Sequence, residues 1–480
     1  MYFEERKDVM KKQIISALLA SAMVLSFSAC SGGAAGSSPS SGAASAGGTK
    51  TTIETWTNDR HDLEYVNSEI QKFNSSNTDN IQIHQTVVTD DYINMLSMAK
   101  SSGTAPDIAG ISGDQDGFDM KAFADTKMVL PLNDYIKKAG TDFQNVTESD
   151  EHVFEGVNSI DGQVYWVPTI VRSGTRMIYN MDLVKKATGN TTLPTTLSGM
   201  VKLAKEITQK GAGQYYGFAT TKDSPFVRCF EGIAELAGQN RYGYDYVNGK
   251  FDFSGFKPIV VEFNKLFTDK SVLPGSPSQG VDAMRAQFAN GKIGIWANAS
   301  QEAGVFTEQF PIKNFDWKVS ELPTMDGNIK GALTSQPQKG YMIMSTTKHA
   351  DQAWKVIEFF SSKDFLKGYL EKGYGLPYSK EMSSAIDTSK TGRISDFALK
   401  DYESVYPAAP SVTIEGEDMQ KVLWSAVMGQ RSADTAIQDL NTRYNKALDS
   451  DVASGKVKRL VIKDFDPLHP SKGTLQYLDK

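Results

Sequence analysis

The sequence has few cysteines and histidines, and this scarcity limits the chemistry that the protein can perform. The two cysteines, Cys30 and Cys229, lie far apart among 480 residues and form no CxxC pair, which excludes the usual cysteine-based metal and redox sites. The five histidines show no metal-ligand spacing. No GxSxG, HExxH, P-loop or GxGxxG motif occurs. We therefore expect no cofactor, no bound metal and no enzymatic activity.

An excess of charge of one sign is also lacking. The chain has 57 acidic residues against 51 lysines and arginines, and the basic residues are scattered. This distribution argues against nucleic acid or an anionic lipid surface as the main partner. The apolar run near the N-terminus is too short to span a bilayer comfortably, and no other segment is apolar enough to cross a membrane.

Residues 10–30 have the features of a secretory signal. Two lysines precede a mostly apolar run that ends at Phe27, and the small residues Ser28 and Ala29 stand directly before Cys30. The arrangement resembles a bacterial lipoprotein processing site, which implies an acyl chain such as palmitate on Cys30. Phe27 departs mildly from that pattern, which prefers leucine. The preceding nine residues fit no signal, so we expect the signal to start at Met10. The alternative is an uncleaved amphipathic helix with a chance cysteine.

The next segment, residues 31–49, consists almost wholly of serine, glycine and alanine. This composition cannot bury a core and behaves as a flexible tether. An anchor followed by a tether predicts an extracytoplasmic protein that is attached by lipid to the bacterial cell membrane. With Cys30 acylated, Cys229 has no disulfide partner, and we expect it to be a small core residue.

The remaining chain is too long for one core and predicts two lobes. Its first part alternates strands and helices: strands at 51–55, 81–88 and 106–111, and helices after Leu63 and at 92–99. This order predicts a parallel sheet flanked by helices. Ligands collect beyond the carboxyl ends of such strands. We therefore expect 56–60 and 112–115 to face one crevice.

Six segments, in chain order, resemble the carbohydrate-binding group of bacterial extracellular solute-binding proteins, to which the maltose-binding protein belongs. They are 161–168 (DGQVYWVP), 178–183 (IYNMDL), 193–196 (LPTT), 288–296 (FANGKIGIW), 350–354 (ADQAW) and 373–377 (GYGLP). The resemblance implies a two-lobe α/β periplasmic-binding-protein fold of type II that closes around a sugar. It also implies delivery to the permease subunits of an ABC importer, by a protein that we expect to be a monomer. The expected lobes are 50–168 plus 335–378, and 169–334 plus 379–480.

The polar candidates for the sugar site come from the loops and from the lobe crossings. Asn58, Asp59 and Arg60 occupy the first loop, although Asp59 could instead cap the following helix. Asp114 matches a ligand aspartate of the family, and Gln115 stands beside it. Arg172 stands where the maltose binder has an acidic residue. Its planar guanidinium group could bind two vicinal hydroxyls or a carboxylate, so an acidic sugar remains one of the ligands to consider. A salt bridge across the hinge is the other interpretation.

The aromatic candidates are flat side chains near the expected crevice, since sugar sites use aromatic walls. Trp296 matches the stacking residue of the family, while core packing is its alternative. Trp56 and Trp166 could be either wall or core. We interpret Trp424 and Trp354 as core residues. The set is completed by Asn298 and by two residues in or near later crossings, Gln336 and Tyr374.

Two other classes of function use the same residue types. A secreted carbohydrate-active enzyme would need two closely spaced carboxylates, for which Asp59 and Asp114 could serve. A surface protein for adhesion or sugar sensing would use the same pocket without an importer.

Overall fold

The fold is that of a computed structural model, which describes residues 50–113, 115, 117–221, 224–240 and 242–478. The signal, the tether and Cys30 lie outside the described residues, as does Asp114. Among the helices of this described part, none combines the length and the hydrophobicity that a membrane crossing requires.

Strands and helices alternate along most of the chain. The strands are β1 Thr51–Thr57, β2 Ile81–Val87, β3 Ile108–Ile111, β4 Ser159–Ile160, β5 Gln163–Val164, β6 Ile170–Arg172, β7 Arg176–Asn180, β8 Tyr216–Phe218, β9 Tyr244–Asp245, β10 Lys250–Phe251, β11 Ile293–Asn298, β12 Trp317–Ser320, β13 Leu333–Thr334, β14 Gln336–Gln338, β15 Gly340–Ile343, β16 Leu376–Pro377, β17 Glu403–Ser404, β18 Leu460–Lys463 and β19 Thr474–Tyr477. The α-helices are α1 Leu63–Ser76, α2 Tyr92–Ser102, α3 Met120–Asp125, α4 Asn133–Lys138, α5 Thr141–Thr147, α6 Met181–Thr188, α7 Leu197–Gly211, α8 Ser224–Leu236, α9 Lys257–Thr268, α10 Val281–Ala289, α11 Glu302–Gly304, α12 Ala350–Phe360, α13 Lys363–Glu371, α14 Lys380–Ala385, α15 Met419–Val427 and α16 Ala433–Ala453.

The molecule has two halves, each built around its own sheet and each assembled from separate parts of the chain. The first half, which contains the N-terminal strands, is built on a four-stranded sheet in the order β15-β3-β1-β2. β1 pairs with β2 and β3 in parallel, which confirms the predicted parallel sheet, and β15 adds an antiparallel edge. All four residues of β3 are buried, as expected for a strand covered on both faces. Trp354 of α12 packs in this core against Tyr135 and Phe143, which confirms its predicted role.

The second half is built on another four-stranded sheet, in the order β12-β7-β11-β8. Helices α7, α8, α9, α15 and α16 supply most of the core that covers it. Cys229 of α8 is 1% exposed in this core, which confirms the prediction of a structural cysteine. Burial raises the pKa of its thiol to about 12, so the side chain is unreactive at neutral pH.

A three-stranded antiparallel sheet, β14-β6-β16, connects the two halves. Ile170 of β6 packs in the first core and the next residue, Val171, packs in a core of the second half. Met382 of α14 packs in the first core, although the sequence analysis assigned residues after 378 to the second lobe. The chain therefore returns to the second half after this helix.

An ion pair between Arg176 and Glu403 lies in the interior of the second half. Both side chains are 1% exposed or less. The Glu403 carboxylate also accepts a hydrogen bond from the backbone N–H of Gly174 at 2.6 Å, and the guanidinium donates to the carbonyl of Ala398 at 2.9 Å. The pair thus joins the start of β7 to the segment that contains β17.

We predict that Glu403→Gln will destabilise the protein by about 3–5 kcal/mol, because it leaves a buried guanidinium without its carboxylate. The measurement is denaturant unfolding followed by tryptophan fluorescence. The matched control is Glu321→Gln, in an exposed pair with Lys400 (3.3 Å), which should cost about 1 kcal/mol or less. Equal losses in the two variants would contradict the structural role of the buried pair.

Candidate functional site

A cleft of about 1010 Å³ receives residues from both halves and from the connecting strands. The first half contributes Gly113, Gln115, Gly117 and Phe118; the connection contributes 172–175, Leu333, Thr334 and Gln336; the second half contributes Val227, Arg228, Gly232, Glu235, Tyr242, Ala299, Asp418, Gln420, Lys421 and Trp424. Such a concave surface with both aromatic and polar groups is typical of a small-molecule site.

The loops after β1 and β3 meet, as the parallel-sheet rule predicts. The Asn58 amide donates to the Gln115 side-chain oxygen at 2.6 Å. Asn58 and Asp59 also line a small depression together with Ser112. The expected convergence of these two loops is therefore confirmed, and Gln115 lies on the wall of the large cleft.

The connecting strands place two of the predicted polar residues on the cleft. Arg172, at the end of β6, donates from Nη2 to the Gln338 side-chain oxygen at 3.0 Å. Gln336, on the neighbouring strand β14, pairs with Arg172 across the ladder. The adjoining Ser173 is 2% exposed, and no hydrogen-bond partner of its hydroxyl is found in the described part of the chain.

Helix α8 provides cleft residues that the sequence analysis missed. Arg228 and Glu235 both line the cleft, and Glu231 accepts a hydrogen bond from Gln420 of the cleft wall at 3.2 Å. These charged residues are spaced by three and four positions on a helix that is otherwise mostly apolar. That polar stripe on one helix face was the available signal, since residues at such spacing share a face.

Trp424 was interpreted as a core residue, and the structure confirms this in part, since the side chain packs against the core of the second half. It is half-buried on α15, it lines the cleft, and its ring meets the edges of Phe226 and Phe267 at centroid distances of 4.6 and 5.8 Å. These edge-to-face contacts hold the indole ring in place. The cleft also has Tyr242, which is 49% exposed, and Phe118 of the first half.

Several predicted residues do not line the cleft. Trp296 is 0% exposed among the apolar side chains of the second half, because β11 is covered on both faces. Trp166 is also 0% exposed, and its indole N–H donates to the Val157 carbonyl at 3.0 Å. Both were expected as possible walls, and burial excludes them from contact with a ligand in this conformation.

The remaining candidates lie beside the cleft or away from it. Trp56 is half-buried and packs against the first half's interior. Arg60 is exposed, and Tyr374 packs with its ring against Tyr65 and Tyr369. Asn298 is 2% exposed and lies behind the cleft wall, where its oxygen is 3.5 Å from Arg228 Nη1.

A buried charge cluster lies under the first loop. Lys339 Nζ is 2.5 Å from Asp62 Oδ2 and 3.8 Å from Asp59 Oδ2, and the hydroxyl of Tyr369 donates to Asp62 at 3.0 Å. Asp59 therefore contacts this cluster and does not cap α1, whose N-cap residue is Asp62. Burial opposes ionisation of Asp62, but the charge of Lys339 outweighs it and lowers the pKa of this carboxyl.

We predict that part of the stability of the protein is lost in acid as Asp62 is protonated. Because the folded-state pKa is below the unfolded value of about 3.9, the contribution is present above that value and lost as the pH falls through the folded pKa. Asp62→Asn should lower the unfolding free energy at pH 7 by several kcal/mol and flatten its fall below pH 4. Denaturant unfolding between pH 3 and 7 measures both effects.

Asp59→Asn is the control, since Asp59 is farther from Lys339 and its side chain is 30% exposed. Its unfolding free energy should change much less at pH 7. An acid-unfolding profile of Asp62→Asn that matches the unmodified protein would refute the assignment.

Metal binding finds no support in the described residues, where no cluster of three or more histidine, cysteine, aspartate or glutamate side chains could hold an ion. Among the described residues, two carboxylates line the cleft, and protein donors hold both of them. Glu235 accepts hydrogen bonds from the Thr334 N–H (2.9 Å) and hydroxyl, and Asp418 accepts from the N–H and the amine of Lys421, both at 2.8 Å.

Comparison with known proteins agrees with this geometry. A family model described as bacterial extracellular solute-binding protein matches residues 58–366. A binding protein of Brucella abortus (strain 2308) is 24% identical over 295 residues, which cover 60% of this chain and 69% of the relative. The solved sugar-binding protein MalE from Xanthomonas citri superposes with a TM-score of 0.65 at 18% identity, over 85% of this chain and 99% of that one.

A second solved structure, an ABC transporter solute-binding protein from Thermotoga lettingae bound with α-D-tagatose, gives a TM-score of 0.60 at 18% identity, over 83% of this chain and 100% of that one. These likenesses confirm the α/β two-lobe fold of type II. Because the family model covers well over half of the sequence, the chain belongs to the bacterial extracellular solute-binding proteins.

Proposed function

We propose that this protein captures a carbohydrate in the cleft between its two lobes and delivers it to the permease subunits of an ABC importer. The observation that carries the proposal is the combination of aromatic and hydrogen-bonding groups around one cleft of about 1010 Å³. Aromatic faces pack on the C–H faces of a sugar ring, and amide and guanidinium groups bind its hydroxyls. Phe118 comes from the first lobe, and Tyr242 and Trp424 come from the second.

The proposed mechanism is a hinge closure. A ligand docks on one lobe and the connecting strands allow the other to rotate over it, which excludes water. Because the ligand contacts both lobes only when they are closed, it shifts the population toward the closed form. The importer then recognises that closed shape.

The location follows from the same proposal. Family membership supports a site of action outside the cytoplasm. The signal at residues 10–30 and the tether support an acylated Cys30 as the membrane anchor. The sugar-binding part of the protein then acts as a monomer outside the membrane. Adhesion or sugar sensing would use the same cleft but would not require an importer.

The proposal predicts stoichiometric binding of a saccharide without turnover. In a thermal-shift screen of mono- and oligosaccharides, one chemical class should raise Tm by a few degrees at saturation, since a ligand at 100 times its Kd adds about 2.7 kcal/mol to stability. Chromatography of the bound saccharide after long incubation should return it intact. A cleaved product would support the enzyme interpretation, and an unchanged radius of gyration on saturation would contradict closure.

Trp424→Ala tests the aromatic wall. We predict that it weakens binding of the saccharide found in the screen about tenfold, because a stacking surface worth about 1 kcal/mol or more is removed. Isothermal titration calorimetry measures the change. The matched control is Trp354→Phe, a tryptophan in the first core, which should lower Tm but leave Kd unchanged. An affinity of Trp424→Ala equal to that of the control would remove Trp424 from the site.

A further inference from the structure

The two halves of the molecule contact each other beside the connecting sheet, where Gly156 of the first half meets Ala408 of the second. We propose that this contact, which we call the pivot contact, is a fourth connection between the lobes and positions them for sugar binding. Gly156 and Ala408 are then positioning residues, which affect the ligand through the relative placement of the lobes. The inference rests on the proposed closure around a saccharide and adds to it the axis of that motion.

The pivot contact requires a glycine at position 156. The Ala408 N–H donates to the carbonyl of Glu155 at 3.2 Å, so the two chain segments touch through their backbones. Gly156 has a φ of +77°, and a Cβ atom added to it would lie 2.5 Å from the Cβ of Ala408. Because two carbon atoms in contact need about 3.5–4.0 Å, a side chain at position 156 would push the lobes about 1 Å apart.

The first-half side of the contact is a rigid turn. The side-chain oxygen of Asn158, which is 0% exposed, accepts from the Phe154 N–H at 2.7 Å. Its side-chain nitrogen donates to the carbonyls of His152 and Trp166, at 2.8 and 3.1 Å. Trp166 packs in a core of the first half. The turn therefore moves with this half, and Gly156 moves with the turn.

Two buried tyrosines fix the second-half side. The hydroxyl of Tyr246 donates to the carbonyl of Pro407. The hydroxyl of Tyr406 donates to the carbonyl of Ala332 at 3.0 Å. Both rings pack in the core of the second half. Since Ala408 follows these residues directly, it is held in place by this half.

The pivot contact continues the row of connecting strands. β14 is an edge strand of the connecting sheet, whose order is β14-β6-β16. Beside it, the Gly113 N–H donates to the carbonyl of Pro337 in β14 at 2.9 Å. A Cβ atom on Gly113 would lie 3.5 Å from the side chain of Val157, the neighbour of Gly156. Three strands and the pivot contact thus stand side by side, and rotation about the line through them closes the cleft without separating Gly156 from Ala408.

The contact acts on the sugar site from outside it. Among the described residues that line the cleft, neither Gly156 nor Ala408 occurs. The aromatic groups of the cleft come from both lobes, Phe118 from the first and Tyr242 and Trp424 from the second. The groups of a binding site must be held within about 0.5 Å of their productive positions. A shift of about 1 Å at the pivot contact, the size that one added methyl group imposes, therefore misaligns the two walls.

Gly156→Ala tests the inference, with Gly162→Ala as the matched control. Gly162 lies in a turn of the same half and has a φ of +76°, and a Cβ atom there would meet no atom of the described residues within 4 Å. Both variants carry the same backbone strain, so both should lower Tm by a few degrees. In calorimetry with the saccharide found in the screen, Gly156→Ala should bind about tenfold more weakly than the unmodified protein, whereas Gly162→Ala should keep its affinity.

Ala408→Gly supplies the rescue. Without the Cβ of Ala408, the nearest atoms of that residue lie 3.5 Å from the added methyl group, which is an ordinary contact. Gly156→Ala combined with Ala408→Gly should therefore regain most of the lost affinity, although its Tm stays low. Equal affinities of Gly156→Ala and Gly162→Ala, or a double variant that binds as weakly as Gly156→Ala, would overturn the inference while the carbohydrate-binding function stands. If no saccharide binds to the unmodified protein, the proposed function falls and the inference falls with it.

Discussion

The short sheet that connects the lobes is the constraint on which the rest of the structure depends. Side chains on a strand alternate between its faces, so Ile170 and Val171 enter the cores of different lobes. The next residue, Arg172, then reaches the cleft. The position of the cleft floor is therefore fixed by pairing of β6 with its neighbours, whatever the angle between the lobes.

The buried ion pairs fix the positions of backbone and side-chain groups that border the cleft. Glu403 holds the N–H of Gly174, which lines the cleft beside Arg172. Lys339 follows β14, and its carbonyl accepts the hydroxyl of Thr169 at 2.7 Å while its amine reaches Asp62. Buried pairs are costly to desolvate. Their common effect here is to fix geometry at the junction of the lobes.

Local pattern was enough to predict most of the fold. The helix after Leu63 forms as predicted because its apolar residues recur at helical spacing, and the loops at Asn58 and Gln115 meet because carboxyl ends of parallel strands share an edge. The aromatic residues of the site were harder to predict from the sequence. Strand position alone does not say whether Trp296 lies under covering helices, and helical spacing alone does not separate a core face from a cleft rim at Trp424. Both depend on which elements pack above them.

The polar residues of the site were also predicted only in part. Arg172 and Gln336 were found because the crossing segments could be located from the family resemblance. Arg228 was missed although α8 carries a stripe of charged residues, because such a stripe does not say whether it faces solvent or a cleft. That depends on which distant elements pack beside the helix, such as the strand that contributes Asn298.

The burial of Cys229 has a practical consequence for the form of the protein that begins after residue 49. In that form it is the sole cysteine, and its high pKa and its 1% exposure protect it from maleimides. A second cysteine introduced on the rim of the cleft, in place of the 68% exposed Lys421 for example, would then be the single reactive thiol. A fluorophore attached there would turn the proposed closure of the lobes into an optical signal of ligand binding.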